Sequence, residues 1–286
     1  MKQLTVISGK GGTGKTTITA AFASLAKNAI FADCDCDAPD LQLILKPEVL
    51  EKEEYIGSAT AIREVDCSKC GKCREVCRFD AIDEEMRIIE TKCEGCGACA
   101  FVCPEGAIEM KKRVTGTVYR SRTRFGPMIH AELRIGEEAS GKLVSHVRKK
   151  AQELANDGDL IIIDGSPGIG CPVIASITGV DAVLVVAEPT VTGLYDMERV
   201  LKVAEHFGIP ASVCINKHDI NEEKTKEIET FCRTRGVPVL GKLPYDDVAT
   251  KAMINGQTVI EYSNSELSRE LKKVWEKVEL FLRAGG

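Results

Sequence analysis

Apolar residues recur along most of the chain either as short uninterrupted runs or as stretches with helical spacing. The uninterrupted runs are QLTVIS (3–8), NAIFAD (28–33), LIIID (160–164), DAVLVVAE (181–188) and ASVCINK (211–217). Stretches with helical spacing alternate with them, among them TTITAAFASLAKN, GKLVSHVRKKAQELA and MERVLKVAEHFG. Strands that alternate with helices in this way are typical of a parallel sheet. The pattern therefore predicts an α/β fold built on a parallel sheet.

This alternation is interrupted between about residues 60 and 111, where cysteines replace the long apolar runs. CSKCGKCREVCRFDAI (67–82) and CEGCGACAFVCPEGAI (93–108) superpose at a constant offset of 26 residues, which makes them two copies of one small unit. Neither flank completes a sheet alone, so we expect one α/β domain, formed by residues 1–59 and 112–286, with residues 60–111 inserted as a small α+β domain.

Charge and composition narrow the classes of partner. The chain has 286 residues, 44% of them hydrophobic, and a net charge of −5 from 43 acidic and 38 basic residues. This balance gives no general attraction to nucleic acid or to anionic lipid, and neither is expected as a partner. The start, MKQLTVISGKGG, resembles no leader, and no apolar run is long enough to span a bilayer, so we expect a cytoplasmic protein. Its 13 cysteines then favour metal ligation over disulfides.

The glycine-rich stretch VISGKGGTGKTT (6–17) matches two nucleotide-binding patterns. It fits G-x-G-x-x-G of a dinucleotide site, with Asp33 at the distance of a ribose-binding acid, and also G-x-x-x-x-G-K-[ST] of a phosphate loop. Lys15 and Thr16 favour the phosphate loop, because an ammonium suits β/γ-phosphates and a hydroxyl suits Mg²⁺. The apolar strand 160–164 ends in Asp164, whose carboxylate supplies a second contact for Mg²⁺ beside that hydroxyl. We therefore predict a bound triphosphate with Mg²⁺. Its phosphate-binding residues are predicted to be Gly11, Gly12, Thr13, Gly14, Lys15, Thr16 and Thr17.

A further lysine, Lys10, lies five residues before Lys15 and places a second cation where charge develops during phosphoryl transfer. With it, KGGTGKTT resembles the deviant Walker A loop of the MinD/Mrp/NifH class of ATPases. The resemblance implies ATP as the nucleotide and hydrolysis as the reaction. It also implies a nucleotide-sandwich dimer in which Lys10 reaches ATP in the partner subunit. That dimer could be a homodimer or a heterodimer with a related ATPase.

Other segments carry the same resemblance. DCDCDAPDL (33–41) is similar to the acidic motif in which Asp35 would position the attacking water, and DGSPGIG (164–170) to the switch in which Asp164 lies in the outer shell of Mg²⁺. INK (215–217) and LPYD (243–246) resemble the adenine-binding segments, which implies that Asn216, Pro244 and Asp246 contact the base. Asn216 can also be an ordinary strand-end residue. The catalytic set implied is Lys10, Lys15, Asp35 and Asp164.

Each repeat has the spacing C-x₂-C-x₂-C-x₃-C, that of bacterial ferredoxins, in which the fourth cysteine ligates the other cluster. The pattern predicts two [4Fe-4S] clusters with crossed ligation. One would take Cys67, Cys70, Cys73 and Cys103. The other would take Cys93, Cys96, Cys99 and Cys77. Zinc is the alternative, but structural zinc usually joins two separated pairs rather than two compact runs of four.

Over nearly its whole length the chain resembles MinD-superfamily ATPases that carry an inserted ferredoxin domain. The resemblance implies a P-loop NTPase fold with a bacterial-ferredoxin-like insertion. MinD ends in a membrane-binding helix. The last helix here has an apolar stripe of Leu267, Leu271, Val274, Trp275, Val278 and Leu282. Because its opposite face mixes glutamate with lysine, core packing is the favoured interpretation.

Three functions are compatible with these motifs. The first is ATP-gated electron transfer from the clusters to a redox partner protein. The second is an iron–sulfur cluster carrier or assembly ATPase that serves a cluster-acceptor protein. The third is a regulatory ATPase whose clusters sense redox conditions. Eight ligands in a stable ferredoxin run favour permanent clusters and therefore electron transfer.

Overall fold

The computed structural model describes residues 1–65 and 67–285 of the chain. Two compact units can be distinguished. The first comprises Met1–Lys52, Tyr119–Ala131 and Ala139–Gly286, and the second comprises Glu53–Val118 and Glu132–Glu138.

The strands of the described chain form one sheet. They are β1 (Lys2–Ile7), β2 (Ala29–Asp33), β3 (Glu48–Arg63), β4 (Ile108–Arg122), β5 (Pro127–Leu133), β6 (Leu160–Asp164), β7 (Ala182–Ala187), β8 (Ala211–Asn216) and β9 (Val239–Leu243). Their order is β3-β4-β5-β2-β6-β1-β7-β8-β9, and every neighbouring pair from β5 to β9 is parallel. The parallel α/β sheet is therefore confirmed. The expected insertion bounds, residues 60 and 111, fall inside β3 and β4.

Most of the helices that do not connect two parallel strands are short. They are α1 (Lys15–Leu25), α2 (Leu41–Leu45), α3 (Lys72–Val76), α4 (Ala98–Val102), α5 (Gly141–Leu154), α6 (Cys171–Ile177), α7 (Val191–His206), α8 (Glu222–Thr234), α9 (Val248–Ile254), α10 (Val259–Tyr262) and α11 (Glu266–Ala284). Across residues 1–65 and 67–285, none is long and apolar enough to cross a membrane.

The core of the first unit lies around the central strands, which are apolar on both faces because helices cover the sheet. Ile162 and Val185 are fully buried there. The apolar stripe of α11 belongs to the same core: all six of its residues are buried, and the ring of Trp275 lies 5.0 Å from that of Phe22. The core packing predicted for this helix is confirmed.

Parallel pairing brings the carboxyl ends of the central strands to one edge of the sheet. In the register of β6 with its neighbours, Asp164 is paired with Val6 of β1 and with Asp33 of β2. Ligands of open α/β sheets bind at this edge, outside the carboxyl ends of the strands. The predicted phosphate loop and the predicted acidic residues therefore meet there.

The second unit contains two copies of the same small arrangement. Helices α3 and α4 both begin after a glycine with positive φ, Gly71 (81°) and Gly97 (76°), at equivalent places in the repeat. Its small apolar cluster includes cysteines: Cys73 is buried with Ile82 and Met86. The cysteine side chains therefore take the place that larger apolar residues occupy in an ordinary core.

Candidate functional site

The glycine-rich loop connects β1 to α1, so that Lys15 is the first residue of the helix. Gly14 precedes it with φ 89°, and a Cβ there would lie 2.3 Å from Nδ2 of Asn216. The positive φ and this contact both disfavour a side chain at this position. The loop therefore delivers backbone N–H groups and the Lys15 ammonium to the N-terminus of a helix, an arrangement that favours anions.

Asp164 contacts three polar side chains of this helix. Nζ of Lys15 lies 2.9 Å from Oδ1 of Asp164 and 3.3 Å from Oδ2 of Asp35. The Thr16 hydroxyl donates to Oδ2 of Asp164 at 2.7 Å, and the Thr19 hydroxyl donates to Oδ1 at 3.0 Å. Lys15, Thr16, Asp35 and Asp164, all predicted from the sequence, are thus brought together.

Several buried carboxylates surround one ammonium here. Burial, together with the charge of Asp164, raises the pKa of Asp33 well above its ordinary value. Burial also raises the pKa of Asp35, although Lys15 opposes the shift. Burial alone would lower the pKa of Lys15, but the neighbouring acids outweigh it and the net shift is upward. A site with more carboxylates than cations, together with the Thr16 hydroxyl, has the oxygen ligands that suit Mg²⁺.

Lys10 belongs to a second cluster of charged side chains, which lies beside the loop. Its Nζ is 3.1 Å from Oε2 of Glu188 and donates to Oγ1 of Thr190 at 3.4 Å. Nζ of Lys217 is 2.5 Å from Oε1 of the same glutamate and donates to the carbonyl of Gly12 at 3.3 Å. Burial alone would raise the pKa of Glu188, but its bonds to the two lysines lower it.

Glu188 was not predicted as a functional residue. It follows β7 directly, and Lys217 follows β8 directly, so parallel pairing of these strands brings the two residues together. An acid immediately after a buried apolar run was the signal that could have identified it, since the same signal marked Asp164.

The segment that follows β9 lines a cleft beside the loop. This cleft of about 880 Å³, open to solvent, is lined by Asn216, Pro244 and Asp246 together with Gly12 and Gly14. Apolar residues of α1, α9 and α11 complete it. Asn216 donates from Nδ2 to the carbonyl of Thr13 at 2.8 Å, so its side chain supports the loop within the same chain. A role for these residues in binding adenine stays a prediction.

A second cleft adjoins the first and shares Gly12, Gly14 and Thr17 with it. Lys15, Thr16 and Asp35 line this one, with Gly11, Thr13 and Ser166. The segment after Asp164 turns back toward the loop, since the N–H of Gly168, at φ 94°, donates to the carbonyl of Ser8 at 2.9 Å. Together the two clefts provide a continuous groove over the phosphate loop.

The second unit contains a narrow cavity lined by four thiols from both repeats. They are Cys77, Cys93, Cys96 and Cys99, the four predicted to share one cluster. Phe79, Ile82 and Met110 provide apolar walls. All 13 cysteines are free thiols. In the described part of the chain, no group of three or more His, Cys, Asp or Glu side chains is already placed as a set of metal ligands.

Cys93 lines this cavity beside Ala61 of β3. Burial alone would raise its pKa, but the backbone N–H groups of Ala61 and Gly95 lower it. Gly95 has φ 66°, and a Cβ there would lie 2.1 Å from the carbonyl oxygen of Ala59. Only glycine therefore allows this loop to approach the strand so closely.

The remaining four predicted ligands lie at the start of the first repeat and the end of the second. The backbone N–H of Ser68 donates to Oε2 of Glu105 at 3.0 Å, which joins these two segments. The N–H groups of Lys69 and Ala107 donate to Sγ of Cys67 and of Cys103, each at 3.3 Å. Backbone donors to sulfur stabilise the thiolate form that metals bind.

Comparison with known proteins identifies the family. The model of the CobQ/CobB/MinD/ParA nucleotide binding domain matches residues 4–259. An uncharacterized protein of Methanocaldococcus jannaschii is 35% identical over 285 residues, which is 98% of this chain and 97% of that protein. A second uncharacterized protein of that organism is 28% identical over 270 residues, covering 92% and 93%.

A more distant relative is named for a cluster-related function. The iron-sulfur cluster carrier protein of Pyrococcus horikoshii is 23% identical over 296 residues, covering 96% of this chain and 85% of that protein. Among solved structures, septum site-determining protein MinD of Pyrococcus horikoshii, complexed with Mg-ADP, superposes with a TM-score of 0.61 at 18% identity. That superposition covers 100% of this chain and 98% of that one, and shows a shared fold. The chain thus belongs to the CobQ/CobB/MinD/ParA family of P-loop nucleotide-binding proteins.

Proposed function

We propose that the chain is a dimeric ATP-binding and ATP-hydrolysing switch whose inserted segment holds two [4Fe-4S] clusters and passes electrons to a partner protein. One observation supports the part of this proposal that concerns the iron–sulfur clusters. Four thiols, three from the second repeat and Cys77 from the first, line a single cavity. This crossed set matches the ligand pattern of two-cluster ferredoxins.

The ATP half rests on the residues around Asp164. Lys15 would bind the β/γ-phosphates, and the Thr16 hydroxyl would bind Mg²⁺ once the cation displaces its bond to Asp164. Asp164 would then hold the ion through its outer shell. Asp35, which already contacts Lys15, would orient the attacking water. Lys10 would stabilise the charge that develops on the phosphates of the partner subunit.

The residues of the second unit suit iron–sulfur clusters in chemistry and number. Cys77, Cys93, Cys96 and Cys99 would hold one cluster, and Cys67, Cys70, Cys73 and Cys103 the other. Bound clusters would supply one-electron redox chemistry. Ligation requires the thiols to draw together from their described positions, because no three of them are yet placed as metal ligands. The cavity and its backbone N–H donors favour that rearrangement.

The partner in the dimer is either a second copy or a related chain. Two relatives from one organism each match more than nine-tenths of this chain, so paired paralogues are a reasonable source of heterodimers. In either case the dimer would close around ATP, and electrons would leave the clusters only in that closed state. Hydrolysis would then reopen the dimer.

The alternative function is cluster delivery. It is favoured by the 23% identical relative that is named as an iron-sulfur cluster carrier protein. In that case the clusters are cargo that leaves for an acceptor protein, and the ATPase cycle controls their release.

One experiment separates the two functions. Anaerobically reconstituted protein is titrated for reduction potential and assayed for retained iron, with and without ATP and an apo-acceptor protein. A potential that moves with ATP while iron is retained supports electron transfer. Iron that moves to the acceptor supports delivery. A Lys10→Met variant is the control, since it should bind ATP without producing either response.

A further inference from the structure

The carboxylate of Glu188 is shared by two lysines that differ in what else they contact. Lys217 also donates to the loop carbonyl of Gly12, whereas the other contact of Lys10 is the hydroxyl of Thr190. The side chain of Glu188 is 10% exposed, against 32% for Lys10 and 28% for Lys217. An ionised carboxylate this deeply buried requires at least one cation.

The backbone at Lys10 is held in place, so only its side chain is free to change position. A Cβ at Gly9 would lie 2.4 Å from Cβ of Asp196, which shows how tightly the start of the loop packs on α7. The Ser8 hydroxyl donates to the carbonyl of Lys10 at 2.7 Å. The ammonium can therefore leave Glu188 by side-chain rotation without a rearrangement of the loop.

We propose that Glu188 is a positioning residue that holds Lys10 within its own chain until an ATP-bound dimer forms. When Lys10 leaves for the triphosphate of the partner, Lys217 remains as the counter-ion, so no buried charge is left unpaired. This inference rests on the proposed ATP-dependent dimer. It adds that a cis ion pair must break in each protomer before the dimer closes.

The pair therefore opposes dimerisation. A partly exposed ion pair of this kind is worth up to about a factor of five in an equilibrium constant. Two such pairs break in each dimer, so a Glu188→Gln variant should lower the dimer dissociation constant by up to about 25-fold in the presence of a non-hydrolysable ATP analogue. Glu198→Gln is the matched control, because Glu198 also contacts two cations, Lys202 and Arg235, on the outer side of α7. It should leave the dimer dissociation constant unchanged.

Cross-linking tests the ion pair directly and does not depend on dimerisation. A zero-length carbodiimide joins a carboxylate to an amine only where the two are in contact, and the joined peptides are identified by mass spectrometry. Without nucleotide we expect Glu188 to be joined both to Lys10 and to Lys217. With the ATP analogue, the Lys10 product should fall at least fivefold while the Lys217 product persists. The Glu198–Lys202 product should not change.

Each result has a definite meaning. The absence of a Lys10–Glu188 product in nucleotide-free protein overturns the inference, whatever the oligomeric state. So does a Lys10–Glu188 product that the analogue leaves unchanged in a protein that dimerises, or a Glu188→Gln dimer no tighter than wild type. If the nucleotide-free product forms but the analogue binds without dimerisation, the proposed dimer switch fails, while Glu188 as the cis partner of Lys10 stands.

Discussion

The ammonium of Lys15 lies 2.9 Å from Oδ1 of Asp164, a carboxylate with no exposed surface. One residue comes from the loop after β1 and the other from the end of β6, and parallel pairing of these strands brings them together. Because Asp164 also accepts from Thr16, it aligns the two loop side chains that a phosphate loop uses on phosphate and on Mg²⁺.

Replacement of Lys15 by methionine should destabilise the protein as well as abolish ATP binding. Lys15 is 5% exposed, and its loss leaves Asp164 and Asp35 without their cation. Loss of one partner of a buried ion pair costs about 3–5 kcal/mol. Urea denaturation without nucleotide measures this cost. Lys224→Met, which removes a surface pair with Glu227, is the control and should change the free energy of unfolding by less than about 1 kcal/mol. Equal stability of the two variants would contradict the buried network.

Alanine substitutions at Gly12 and Gly14 should differ in cost. Both glycines have positive φ, 78° and 89°, which costs a non-glycine residue about 1–2 kcal/mol. A Cβ at Gly12 meets nothing within 4 Å, whereas one at Gly14 lies 2.3 Å from Nδ2 of Asn216. We therefore expect Gly14→Ala to unfold at a clearly lower urea concentration than Gly12→Ala. Asn216→Ala in the Gly14→Ala background should recover part of the difference. If the two single variants unfold together, Asn216 does not restrict the loop.

Crossed ligation can be tested by exchanging single cysteines for serine. Cys77→Ser and Cys96→Ser should alter the same cluster, because both thiols line one cavity, and Cys103→Ser should alter the other. Electron paramagnetic resonance of the reduced proteins would distinguish the two signals. Cys171→Ser, an exposed cysteine outside the repeats, should leave both signals intact. If Cys77→Ser and Cys70→Ser remove the same signal, each repeat binds its own cluster.

Alkaline pH should destabilise the protein through its buried thiols. Burial raises the pKa of Cys214 from the ordinary value of 9.0 to about 12. Between these values the unfolded thiol loses its proton while the folded thiol keeps it, so stability is complete below about pH 9 and falls as the pH rises. The slope is about 1.4 kcal/mol per pH unit for one such thiol. Urea denaturation at pH 8 and pH 10 should show a smaller loss for Cys214→Ala than for wild type. Parallel losses would contradict the raised pKa.

The nucleotide-binding half of the fold was predictable because its signals are local. The segments at β1, β2, β6, β7 and β8 are mostly apolar and almost entirely buried, as strands covered on both faces are. Cys214 of β8 and Cys232 of α8 are fully buried. The motif residues after these strands could be placed because parallel strands end at one edge.

The long strands β3 and β4 were not predicted. The first half of β3, EVLEKEEY, is almost entirely exposed and rich in charge, so it lacks both the continuous apolar run and the alternation that indicate a strand. The pairing of Glu188 with Lys10 was also missed. It depends on the order of strands in the sheet, which the spacing of residues along the chain does not contain.

The most direct test of the proposed function is the metal and nucleotide content of wild-type protein purified without oxygen. We expect about eight iron and eight acid-labile sulfide per chain, as two [4Fe-4S] clusters require, together with saturable binding of Mg-ATP. Zinc in place of iron, or clusters in a protein without affinity for ATP, would contradict the coupling of a phosphate loop to iron–sulfur clusters.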